Sequence, residues 1–218
     1  MWRVEALSGS AADFHQRPFP HPVEAAVWWF AVEQSALILG SAQPLAHIDL
    51  AACEQAGIAV VRRRSGGGAV LVEPHDIIWV DIILPIGHPQ WSNDVSSAGG
   101  WLGDVWIAAF AILGLTGLQV HEGPLITTEW SRQVCFAGLG GGEVVNSSGQ
   151  KLVGVSQRRT RYGARFQCGV YRQWRPERLS SLFNPPAPPP EVLADLVATV
   201  SFDCAAIRTA FEVALREM

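Results

Sequence analysis

Apolar residues fill the stretch from Val23 to Pro44 almost without interruption. Its second half, Ala36 to Leu39 ahead of Gly40, has the length and continuity of a buried strand. Asp49 as an N-cap and Gly57 as a stop bracket a short helix over "LAACEQA". "IAVVRR" and "AVLV" then read as two extended segments joined by the glycine turn "SGGG". "IIWVDIIL" is too apolar on both faces to be half exposed, so a central strand ending at Pro85 is expected there. Residues 1 to 22 mix Gly, Ser, Pro and His without a period and are expected to be irregular.

Leu102, Val105, Trp106, Ala109, Ile112 and Leu113 recur at helical spacing and predict an amphipathic helix to about residue 114. "LQVHE" returns as a strand, and the glycine-rich "CFAGLGGGEVVNSSG" reads as a loop leading into another. "QKLVGVSQRR" and "ARFQCGVY" are extended, with "TRYG" as the turn between them. "NPPAPPP", residues 184–190, can be neither helix nor central strand. After it, "EVLADLVATV" and "DCAAIRTAFEVALREM" are expected to be helical, the second with Ile207, Phe211, Ala214 and Leu215 on one face. This order predicts an α+β fold with a mixed, largely antiparallel sheet and packed helices. The expected division is a main domain over residues 1–183, with a Pro-rich connection and C-terminal helices at 184–218 packing on it.

Composition narrows the class. A chain of 218 residues, 49% hydrophobic, can bury a sizeable core. A net charge of −4 argues against a surface adapted as a whole to nucleic acid. Cys53, Cys135, Cys168 and Cys204 are widely spaced, with no C-x-x-C and no Cys/His cluster at metal spacing, so free thiols and no metal site are expected. No apolar run approaches the roughly 20 residues that span a bilayer. The cytoplasm is the expected location.

Two stretches carry candidate chemistry. "RRRSGGGAV", residues 62–70, sets three arginines before three glycines; without Cβ atoms a ligand can lie against that backbone, and its amides can face a carboxylate or phosphate. "GQKLVGVSQRR" holds Lys151, the single lysine among the 16 Lys and Arg residues. A compact ammonium can follow charge at one oxygen of an acyl phosphate where a guanidinium prefers a two-toothed fork. Nucleotide-loop motifs do not fit, since no GK[ST] follows the first glycines and "GLGGGE" fails G-x-G-x-x-G at its last position. Cys135, at the mouth of the second glycine-rich loop, is a candidate nucleophile or inert packing, while Cys168 alternates with Phe166 and Val170 as core. His75 and Asp76 read as turn residues. Arg158, Arg159, Arg161 and Arg165 read as a solvated hairpin end that could meet an acidic partner domain.

Together the two stretches resemble the signature segments of the lipoate protein ligase and octanoyltransferase superfamily, related to biotin protein ligases. The pattern is approximately RR-x-SGGG-AV followed much later by G-[RK]-K-[IV]-x-G-x-[AS]-Q, and the likeness extends more weakly from Ala36 to Tyr171. The resemblance implies an acyl ligase or transferase catalytic domain in residues 1–183. Arg63, Ser65, Gly66, Gly67 and Gly68 match the first segment, and Lys151, Gly154, Ser156 and Gln157 the second; these are the expected substrate contacts, with Lys151 catalytic. It further implies lipoate or octanoate and ATP with Mg²⁺ as substrates, giving an acyl adenylate. The expected acceptors are lysines of lipoyl domains, in 2-oxoacid dehydrogenase complexes or the glycine cleavage H protein. A second implied class is a transferase that takes octanoyl from acyl carrier protein through a Cys135 thioester without ATP. A third is a member that binds lipoyl domains or lipoate without chemistry. The chain departs from the ligase pattern with Val72-Glu73 where His-Asp is common, and Cys168-Gly169 where His-Gly is usual.

Overall fold

The computed structural model describes residues 1–218. Its main sheet has seven strands, β1 (Arg3–Gly9), β2 (Ala26–Val32), β6 (Ile77–Pro85), β7 (Gln119–Val120), β8 (Val144–Val145), β9 (Lys151–Thr160) and β10 (Gly163–Tyr171), in the order β1-β2-β6-β10-β9-β8-β7. Only β1 and β2 run parallel. A second sheet of three strands sets β3 (Ala36–Leu39) between β4 (Ala59–Arg62) and β5 (Val70–Val72). The fold is α+β, as the order of apolar segments predicts.

Strand alternation sorts the core. On β6, Ile78, Val80, Ile82 and Leu84 face α3 (Gly100–Ile112) and α6 (Cys204–Glu217). Ile77, Trp79 and Ile83 face the small sheet and α1 (Ala11–Gln16). With both faces buried, β6 is the central strand expected, flanked by β2 and β10. Ile207, Phe211, Ala214 and Leu215 are all buried on α6, and Phe211 packs 4.5 Å from the Trp106 ring of α3. The larger of these side chains, Ile207, Phe211 and Leu215, are each worth about 1.5–3 kcal/mol of transfer free energy when fully buried. Ile112 points outward instead, and Phe110 completes the buried face of α3. The small sheet's outer face closes against α2 (Leu50–Gln55), α4 (Pro176–Ser180) and α5 (Pro190–Ala194). Asp49 caps α2 by accepting from the Ala52 amide at 2.9 Å.

Four local expectations change. Residues 1–22 are not irregular, because β1 runs along β2 as an edge and Ser10 caps α1; an edge strand has no apolar run to announce it. The SGGG segment does not close a hairpin, because β4 and β5 lie on opposite sides of β3 and the loop crosses the end of β3 between them. The helix after the proline run stops at Ala194, since the Lys151 backbone captures the next residues: its amide donates to Leu196 O and its carbonyl accepts from Ala198 N.

Arg165 is no solvated hairpin residue. It is buried and ion-paired with Asp81, whose carboxylate also accepts from Trp79 Nε1 at 2.8 Å. The guanidinium donates onward to Phe14 O at 2.6 Å and Arg17 O at 3.1 Å, so the pair fastens α1 to the sheet. Burial pushes the Asp81 carboxyl above its ordinary pKa, and Arg165 opposes that shift. Removing one partner strands a buried charge. Arg165→Leu should cost about 3–5 kcal/mol in urea unfolding, with much of it recovered in Asp81→Leu/Arg165→Leu; a single variant within about 1 kcal/mol of wild type would refute this account.

Candidate active site

The glycine loop is held from two sides by backbone. A Cβ on Gly40, just past β3, would stand 1.8 Å from the Gly67 carbonyl oxygen, and one on Gly68 would stand 2.6 Å from Val134 N. Only glycine permits such approach. Ala69 N donates to Gln133 O at 2.7 Å and Cys135 N donates to Ala69 O at 3.0 Å, so the segment carrying Cys135 is fastened along the loop. Arg63 lies beneath. Its Nη2 donates to Gly66 O at 2.8 Å, Gly68 O at 3.1 Å and Cys135 Sγ at 3.3 Å. Gly67 adopts φ +99°, and a Cβ there would stand 2.8 Å from Arg63 Nη2 and 3.4 Å from Cys135 Sγ.

Lys151 is 3% exposed. Its Nζ pairs with Glu143 Oε2 at 2.6 Å and donates to Cys135 O at 3.2 Å. The β8–β9 pairing, with Val145 opposite Lys151, brings the two charges together across a tight connection. Glu143 is itself anchored, accepting from Gly140 N at 2.7 Å and Val155 N at 3.0 Å. An ammonium has three N–H donors, so one remains for a bound group.

Two openings meet at Cys135, Val155 and Ser156. One is an apolar slot walled by Ile38, Val70, Val72, Ile77, Trp79 and Phe136. The other is a larger polar cleft bordered by Gly66, Gly67, Gly68, Glu143 and Lys151. The slot holds about 50 Å³ of free space, room for a few water molecules, so a longer chain enters only by displacing a wall. Polar groups interrupt the slot. Ser65 Oγ lies 3.2 Å from Ser156 Oγ and donates to Gln167 Oε1 at 3.2 Å, and Gln167 Nε2 lies 3.3 Å from His15 Nδ1.

Of the residues singled out in the sequence, Arg63, Gly66, Gly67, Gly68, Cys135, Lys151, Gly154 and Ser156 border the slot or the cleft, and Ser65 is buried behind them, its hydroxyl against Ser156 and Gln167. Gln157 does not. It pairs with Phe166, whose ring lies in the core under α3 and α6, and its amide oxygen accepts from Arg159 Nε at 2.9 Å. Of the two departures from the motif, Val72 lines the slot, while Cys168 borders it on a strand whose Cys168 side chain packs with Phe166 and Val170 in the core under α3 and α6; Glu73 pairs with Arg178 and Asp76 with Arg175 away from the slot. Burial pushes the Cys168 thiol up to about 12, which keeps it protonated. All four cysteines are free, and no three His, Cys, Asp or Glu converge on a metal position.

Glu143, His15 and Gln167 escaped the sequence reading. Glu143 had one usable signal, the "NSSG" turn, which makes residues 144–151 a hairpin and sets Glu143 near Lys151. His15 and Gln167 had none, since they meet only because α1 docks on the sheet through Phe14 against Phe30 and Trp79 and through the Arg165 contacts.

These features define an α+β domain with a small apolar slot opening onto a polar, lysine-bearing cleft. The family model for the lipoyl protein ligase A/B catalytic domain matches residues 15–191, and the chain belongs to that family. No curated protein sequence matches the chain. Among solved structures, protein Ta0514 of T. acidophilum with bound lipoic acid is similar over 99% of this chain and 84% of its own, at 16% identity and a TM-score of 0.72. A lipoate-protein ligase A bound with ATP covers the same shares at 15% identity and TM-score 0.72. A bi-partite lipoate protein ligase of Thermoplasma acidophilum, studied with its E2 lipoyl domain, covers 99% of this chain and 82% of its own at 15% identity and TM-score 0.73. At these identities the likeness is one of fold. No helix is long and apolar enough to cross a membrane.

His15 makes the site sensitive to acid. Burial, then the charges of Arg165 and Arg63, lower its pKa from 6.5 to about 3. The unfolded chain takes up this proton near pH 6.5 and the folded chain does not, so stability is complete above pH 6.5 and is lost as pH falls towards 3. The slope from this residue is up to about 1.4 kcal/mol per pH unit. Urea midpoints at pH 7 and pH 4.5 should diverge less in His15→Phe than in wild type; equal divergence would remove His15 from the acid response.

Proposed function

We propose that this chain attaches lipoate or octanoate to a lysine of a lipoyl domain, activating the acid with ATP as an acyl adenylate. The observation that carries this reading is the junction itself: an apolar slot meets a polar cleft beside the chain's single lysine, which keeps one N–H free. The slot walls suit the acyl chain, and the cleft suits the nucleotide. The acid's oxygen attacks the α-phosphate, pyrophosphate leaves, and the ε-amine of the acceptor then takes the acyl carbon as AMP departs. Lys151 holds negative charge as it moves from carboxylate to phosphate oxygen. Glu143 fixes the ammonium in place. Mg²⁺ would come with the ATP phosphates, since Glu143 is committed to Lys151 and no acidic cluster stands beside it. The acceptors are the lipoyl domains of 2-oxoacid dehydrogenase complexes or the glycine cleavage H protein.

Purified protein given lipoate or octanoate with ATP should release pyrophosphate. Lys151→Ala should cut that release roughly a hundred- to thousandfold, about 3–4 kcal/mol, while weakening substrate binding far less. Lys151→Arg should be nearly as damaging, because a planar fork cannot occupy the ammonium's place between Glu143 and the Cys135 carbonyl. Near-wild-type release by a folded Lys151→Arg protein would refute the need for an ammonium. Thermal melting of each variant separates lost chemistry from lost fold.

One observation favours a second reading. Cys135 borders both openings, with its sulfur beside the Arg63 guanidinium. Here the Cys135 sulfur attacks the carbonyl of an octanoyl thioester on acyl carrier protein and the carrier thiol leaves with a proton. The acceptor lysine then takes the acyl group from Cys135, forming the amide and restoring the thiol. This route predicts a hydroxylamine-labile octanoyl adduct on the wild type by intact-mass spectrometry and none in Cys135→Ser. Pyrophosphate release unaffected in Cys135→Ser would leave the adenylate route standing alone.

A further inference from the structure

Every ion pair in the chain lies outside two segments, residues 62–64 and 158–161, which together hold six arginines. Those segments flank the glycine loop and the lysine strand, and the Ser65–Ser156 contact at 3.2 Å brings them together at the site. Three of the six are occupied elsewhere. Arg62 donates to the carbonyls of Gly40, Ser41 and Gln43, Arg63 lies inside the loop, and Arg159 packs on Trp91 and donates to Asn93 O. Arg64, Arg158 and Arg161 keep their guanidiniums without a carboxylate. Arg64 and Arg161 are exposed, and Arg158 is half-buried beside the Phe19 ring. Burial, then the charges of Arg64 and Arg165, hold the Arg158 guanidinium below its ordinary pKa, as expected of crowded like charges.

A chain of net charge −4 has thus left three cations without a carboxylate on two segments that lead away from the Ser65–Ser156 contact, Arg161 at the hairpin turn over the Tyr162 ring. Like charges so placed disfavour folding and raise a local positive potential that steers an anionic partner. A long nucleic acid would meet the repulsion of the acidic remainder, while a compact acidic domain needs only the local match. We infer that Arg64, Arg158 and Arg161 form a docking rim for the acidic face of the protein domain that presents the acceptor lysine. This rests on the acyl-transfer reading above and adds to it the surface on which the acceptor sits.

The probe is a recombinant apo lipoyl domain of a 2-oxoacid dehydrogenase, with a copy whose surface Asp and Glu are changed to Asn and Gln. Calorimetry with the full chain reads docking whether or not transfer occurs. The Arg64→Gln/Arg158→Gln/Arg161→Gln variant should bind the lipoyl domain on the order of tenfold more weakly at low salt, with a flatter salt dependence. The Asn/Gln copy should bind wild type equally weakly, and the two losses should not add. Pyrophosphate release from lipoate or octanoate with ATP should be unchanged in the triple variant, since none of the three borders the slot or the cleft. Undiminished affinity in the folded triple variant, or no binding of the lipoyl domain to wild type, would overturn the docking rim. Undiminished lipoyl-domain affinity with lost binding of a single-stranded oligonucleotide would overturn it in favour of nucleic acid. Pyrophosphate release absent from wild type with docking intact would instead remove the adenylate route and leave the rim in place.

Discussion

Three backbone segments meet at the glycine loop with no space for a side chain between them. The end of β3 passes under Gly67 at Gly40, and the segment leading to Cys135 lies against Gly68. Because β4 and β5 sit on opposite sides of β3, the loop must cross that strand's end, and a crossing at such distances is open only to glycine. The amide and carbonyl of Ala69 then fasten the Cys135 segment to the loop. The position of Cys135, the shape of the slot and the hold on Arg63 all follow from this contact.

Charge is distributed around that contact with little waste. The buried ammonium of Lys151 has a buried carboxylate against it, and the buried guanidinium of Arg165 has Asp81. Each pair is also held by backbone groups, which makes a buried ion pair tolerable and its disruption costly. Arg63 differs. It sits beneath the loop on carbonyl oxygens and a sulfur, outside every ion pair, so its charge stays available at the junction of slot and cleft. His15, between two guanidiniums and largely buried, stays neutral down to about pH 3.

The adenylate and thioester routes make the same demand of the protein: a dry channel for an apolar chain, ending where a carbonyl carbon can be attacked beside fixed positive charge. Arg63 and Lys151 lie on opposite sides of Cys135, one at its sulfur and the other at its carbonyl oxygen. The routes differ in which atom the acyl carbon joins first. Of the positions where the ligase pattern has histidine, Val72 gives the slot an apolar wall, and the Cys168 thiol, buried in the core and pushed up to about 12, stays protonated.

Much of the fold could be read locally. The two-sided apolar run of β6, the β9–β10 hairpin with its short turn, and the faces of α3 and α6 depend on period and on nearby residues, so the chain itself determined them. The two signature stretches likewise marked the glycine loop and Lys151, which border one cleft. What the tertiary structure decided was pairing. The placement of β3 between β4 and β5, the docking of α1 through Arg165, the turn of Gln157 away from the cleft and the meeting of Glu143 with Lys151 each depend on a partner distant in sequence or on strand register. A side chain's period states which face it shares with its neighbours, whereas what that face meets is set only when remote segments close upon it, because burial and ion pairing are properties of the contact and not of the residue.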